Sequence, residues 1–70
     1  AGLPAKAVEI ARERDCGIST GGGAAAVYIS STGWEGRPGV DRIEMMTILA
    51  PMIFDALEAD GTKTDSVQSV

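Results

Sequence analysis

Apolar positions follow a sustained helical period in one stretch of the chain, residues 41–59 (DRIEMMTILAPMIFDALEA). Wound at about 100° per residue, Glu44, Thr47, Pro51, Asp55 and Glu58 share one stripe, with Ile48 at its edge. Met45, Met46, Leu49, Ala50, Met52, Ile53, Phe54, Ala56 and Leu57 fill the rest. That apolar arc spans roughly 220°, about twice the width an ordinary surface helix needs. The beginning is well marked: Asp41 is a capping residue, and Glu44 three positions on completes a box-like pair. Val40 and Met45 have the spacing of a hydrophobic staple across that cap. Gly61 supplies the left-handed residue that commonly ends helices. Pro51 removes one amide and crowds the carbonyl of Thr47, so the spacing predicts a bend there or a division into two shorter helices.

A second, weaker helical period occupies residues 4–15, with Leu3, Ala7, Ile10 and Ala11 on one face and Val8 beside them. Pro4 suits its first turn, where a missing amide is no loss. Arg12 and Arg14 complement the dipole at its end, and Gly17 is the expected stop. Between the two helices, residues 16–34 run for nineteen positions without a charge. The apolar part, residues 24–29, is far shorter than the 20 or so residues a membrane span requires. Residues 24–31 (AAAVYISS) carry the β-branched and aromatic content of one short strand. Trp34 is expected over one end of the core, ahead of a WEGRPG loop. The fold expected is therefore mainly α: two helices at about 4–15 and 42–59, the second kinked near Pro51, an irregular Gly-rich connector and at most one short strand at 24–31. A small α+β arrangement is the alternative. Residues 1–61 form one domain or subunit in this reading, and the polar residues 62–70 a disordered tail.

Composition sharpens the picture. Seventy residues bury only about 60–65% of their unfolded surface, so a chain this size usually needs a staple, a metal or a partner. With no histidine and one cysteine, Cys16, an internal disulfide framework is impossible and a Cys/His zinc site lacks all but one of its ligands. Association is the remaining remedy. Ten acidic and six basic residues give a formal charge of −4, and the basic ones are scattered. The sequence thus offers no phosphate-binding stripe for nucleic acid and no polybasic patch for a membrane surface. Insertion into a bilayer is not expected, while contact with subunits of a membrane protein stays open.

Candidate chemistry is sparse. Ser19, Thr20, Gly21, Gly22 and Gly23 form the best candidate anion loop, because consecutive glycines let backbone amides converge. They lack the Gly-Lys-Ser/Thr ending of a phosphate loop, and a plain connector is the stronger reading. Cys16 has no histidine to act as its base, and it stands at a helix C-terminus where the dipole disfavours thiolate. A small buried hydrophobe is its simpler role. Glu44, Asp55, Glu58 and Asp60 make a solvated face rather than a coordinating loop. No residue is assigned to catalysis, to a metal or to a cofactor, and the reading leans away from an enzyme. The function expected is that of a small acidic, non-catalytic accessory or structural subunit. It associates with a larger assembly, or with itself, through Met45, Met46, Leu49, Met52, Ile53, Phe54 and Leu57 on its wide apolar, Met-rich helix. The alternatives are a ligand-binding or catalytic fragment using the Ser19-to-Gly23 loop, and a peripheral helix of a membrane protein complex.

Overall fold

The computed structural model describes residues 3–21, 23, 25–34 and 36–70. In chain order the elements are helix α1 (Ala5–Glu13), strands β1 (Gly17–Gly21) and β2 (Ala26–Ser30), a 3-10 turn at Thr32–Trp34, helix α2 (Arg42–Ala59) and strand β3 (Ser66–Ser69). The three strands form one sheet in the order β1-β2-β3. β1 and β2 are antiparallel, with Ile18 opposite Ile29 and Thr20 opposite Val27. β3 returns through α2 to lie parallel to β2, with Val67 beside Val27 and Ser69 beside Ile29. This is a small α+β fold, and the mainly α architecture expected from the sequence is overturned by the sheet.

Both missed strands have a physical explanation. β1 (GISTG) and β3 (SVQS) are edge strands covered on one face only, so each sends a single bulky apolar side chain, Ile18 or Val67, toward the core. Alternation one residue deep is no pattern at all. β2 is different: Val27 and Ile29 are fully buried and organise both neighbours. The expected strand at 24–31 is present as Ala26–Ser30. The expected disordered tail is instead ordered as β3, tied down at both ends by backbone bonds. The Asp65 amide donates to the Ala25 carbonyl (2.8 Å), and the Val70 amide to that of Ile29 (2.8 Å).

The helices cover one face of the sheet. Ala7 and Ile10 of α1, Val27 and Ile29 of β2, Trp34, and Leu49, Ile53, Ala56 and Leu57 of α2 form a single core. α1 lies toward β1 and α2 toward β3, with the two helices in contact. Both helices end in the same way, with paired backbone bonds that close the last turn. In α2, Gly61 (φ 78°) is the left-handed residue; its amide donates to Glu58 (3.0 Å) and that of Thr62 to Leu57 (2.9 Å). In α1 the left-handed residue is Asp15 (φ 55°), not the anticipated Gly17, which belongs to β1. There the Asp15 amide donates to Arg12 and the Cys16 amide to Ala11, both at 3.1 Å. The cap of α2 is as read: Asp41 Oδ1 accepts from the amides of Ile43 (2.9 Å) and Glu44 (3.1 Å). α2 runs unbroken through Pro51, so it is not two helices. Pro51 is exposed, and the Thr47 carbonyl it leaves without an amide partner is on the wet side of the helix, where water can bond it.

Candidate functional site

α2 divides into strips according to what its own chain covers. Leu49, Ile53 and Leu57 have no exposed surface and Ala56 almost none; these point into the core. Met45, Met46 and Met52 are half-buried against the same core. Ile43, Ile48 and Phe54 stay out, at 79%, 50% and 36% exposure. Of the seven residues the sequence nominated for a partner, then, Leu49, Ile53 and Leu57 are occupied by the protein's own sheet and α1. Met45, Met46 and Met52 offer partial surface, and Phe54 is available.

Part of the uncovered apolar surface lies along the β3 side of α2; Ile48 and the hollow that Met52, Ala56 and Ala59 share with Ile10 lie on the other flank. Ile43, Met46, Thr47 and Ala50 overhang Val67 and Ser69, and with Asp41 and Arg42 they line an open groove of about 750 Å³. Phe54 continues the strip toward a smaller hollow that it shares with Glu58, Gly61, Thr62, Lys63 and Thr64. At the other end Arg42 Nη2 reaches Ser69 Oγ (3.4 Å). The sequence nomination passed over Ile43 because it sits beside the cap among charged residues. The signal was present, since Ile43 and Phe54 are three helical turns apart and about 20° apart on the wheel.

β3 adds a second unfilled valence to the same place. As the outermost strand, it presents one backbone edge to solvent. Alternate residues of a parallel strand turn both backbone groups toward the same side. The Ser66 and Val70 amides are bonded to β2 carbonyl groups or the residue before β2 (Ala25 and Ile29), so the groups of Val67 and Ser69 face outward. An apolar helix flank therefore overhangs an unpaired strand edge. A single added element could satisfy both.

The other candidates fare differently. Ser19, Thr20 and Gly21 are extended strand residues paired with Tyr28, Val27 and Ala26, so their backbone is not curled around an anion. Gly23 has a positive φ (66°) in the turn that follows, and Gly22 lies outside the described residues. Ser19, Tyr28 and Gln68 form one cross-strand row on the sheet face away from the helices. Cys16 is half-buried and its thiol donates to the Ala11 carbonyl (3.2 Å). Burial pushes its pKa above the ordinary thiol range; Arg14 pulls it down and Asp15 pushes it up, both by less. Among the described residues no three His, Cys, Asp or Glu side chains are grouped as metal ligands. No helix among them is long and apolar enough to cross a membrane.

Fold and surface together define a small two-layer α+β domain with an open strand edge beneath an apolar helix flank. Comparison with protein-family models, with curated proteins and with solved structures finds no significant match.

Proposed function

We propose that the protein is a non-catalytic interaction subunit, completed by association through the flank of α2 that overhangs β3. The observation that carries this reading is Ile43, an aliphatic side chain 79% exposed on a well-capped helix, in line with Ala50 and Phe54. Burying such a side chain contributes on the order of 1.5–3 kcal/mol when complete, so a partner covering Ile43 and Phe54 gains several kcal/mol from two residues. The open edge at Val67 and Ser69 adds backbone hydrogen bonds, which fix orientation as in strand-addition recognition. The methionines bordering the strip, above all Met46, adapt their shape to whatever packs there. The same surface serves a soluble subunit or a subunit of a membrane complex.

The experiment is site-specific photo-crosslinking in cell extract. A photoreactive residue replaces Ile43 in one sample and exposed Arg12, on α1, in a control. The reading expects protein adducts, to this chain or to another, from position 43 and few from position 12. Equal or absent labelling from both would remove it.

A further inference from the structure

Resting on that reading, we propose that the occupant of the open flank is a second copy of this chain, joined by antiparallel pairing of β3 with β3 about a two-fold axis at Val67. The argument begins with charge. Arg42 lies at the end of β3, its guanidinium on Ser69 Oγ at 3.4 Å, and forms no ion pair with any described residue. Asp65 lies just before the start of β3, is exposed, and likewise forms no ion pair among the described residues. Arg42 thus places a cation at one end of the edge, beside Asp41, whose carboxylate accepts the cap amides of α2, and Asp65 places an anion at the other, two residues after Lys63. An antiparallel copy brings Asp65 to Arg42, so these two groups make the edge complementary to itself.

Side-chain parity and the Asp65–Arg42 contact together select the register. Val67 and Ser69 stand on the helix-covered side, opposite the buried Val27 and Ile29. For both copies to keep their helices on one face of a continuous sheet, residues of like facing must meet across the axis. Pairing Val67 with Val67 of the second copy does this and sets Asp65 opposite Ser69, within reach of Arg42 on that copy. The contact occurs twice. It also makes Val67 the pair that exchanges backbone bonds, which is what its outward N–H and C=O require. Above the seam the two α2 helices run antiparallel, with small Thr47 and Ala50 at the level of Val67 allowing close approach. Ile43 of each copy then meets the Phe54 region of the other. An isologous contact of this kind closes on itself and leaves no further β3 edge.

The test uses the full chain at rising concentration. Sedimentation equilibrium is expected to give twice the 7.2 kDa chain mass at high micromolar concentration. Arg42→Asp and Asp65→Arg should each weaken the dimer at least tenfold, with unchanged circular dichroism because both side chains are exposed. Combining them should restore affinity to within a few-fold, since the pairs re-form with signs exchanged. For the register, Ser66→Cys and Gln68→Cys are made in separate Cys16→Ser chains. Mixed under mild oxidation, they should form a joint disulfide much faster than either forms its own, because Ser66 of one copy is opposite Gln68 of the other. A monomer at every concentration, a dimer indifferent to both charge reversals, or the absence of the mixed disulfide would overturn the inference. Failure here combined with adducts to another protein from position 43 would leave the interaction reading standing with a different partner. Failure of both would remove each.

Discussion

Three residues show how tightly local geometry is set where α1 meets the turn before α2. Trp34 is buried, and its indole N–H donates to the Arg14 carbonyl at 2.6 Å, closing the end of α1 from above. Gly33 is forced by that docking: a Cβ there would overlap the Asp15 carbonyl oxygen. Gly33→Ala is accordingly expected to cost about 2–4 kcal/mol, read as a lowered urea midpoint at constant slope. Asp15 holds a left-handed conformation that glycine adopts more readily. Its ion pair with Arg37 (2.9 Å) is more than half exposed on both sides and contributes little. Asp15→Gly should therefore stabilise the protein, by about 0.5 kcal/mol after the entropic cost of glycine is deducted. The thiol of Cys16 gives a pH prediction. Burial raises its folded pKa above the unfolded value, so the stabilising effect is fully present below the unfolded pKa. It is lost as pH rises through the folded pKa, because the unfolded chain ionises first. Stability should thus fall on the alkaline side of the ordinary thiol range in wild type and less so in Cys16→Ser. At neutral pH a thiol reagent should modify the native protein more slowly than the urea-unfolded chain. None of these details is visible in the sequence except Trp34 as a core lid. Asp15 in particular reads as an ordinary polar residue, since its backbone angle follows from where Trp34 and β1 pull the chain.

At the scale of elements, α2 was legible and the sheet was not. Capping at Asp41 and the stop at Gly61 derive from local rules that one segment satisfies alone. β1 and β3 derive nothing locally; they are strands because β2 lies between them. The wide arc of α2 was legible as an excess of apolar surface, but not its allocation. The sheet takes the central strip, and the remainder is divided between the flank over β3, with Ile43 and Phe54, and the opposite flank, with Ile48 and Met52. That allocation predicts a contrast between two isoleucines on one helix. Ile53→Ala should cost about 2–5 kcal/mol in chemical denaturation, as a fully buried side chain does. Ile43→Ala in the monomeric state should lie within about 0.5 kcal/mol of wild type. Measured instead at concentrations where the protein associates, Ile43→Ala should lower the apparent stability, because association adds to the folded state by mass action.

For the whole molecule, the governing fact is that three strands and two helices close on only some of their sides. The chain covers Val27 and Ile29 completely, yet leaves an unpaired edge at β3 and three large aliphatic or aromatic side chains of α2 in solvent. Natural edges are commonly guarded by charge, proline or a covering loop, whereas β3 itself (SVQS) carries none of these. An apolar flank above an unguarded edge is the arrangement of a surface meant to be covered. The most direct test is amide hydrogen exchange at Val67 and Ser69, followed together with the Ile43 methyl resonances from low to high micromolar protein. Covering the edge should leave both amides fast-exchanging in the dilute state, then protect them and shift the Ile43 methyls as the protein associates, or as a captured partner is added. Amides at Val67 and Ser69 that exchange freely under every condition, with Ile43 unmoved, would contradict the account.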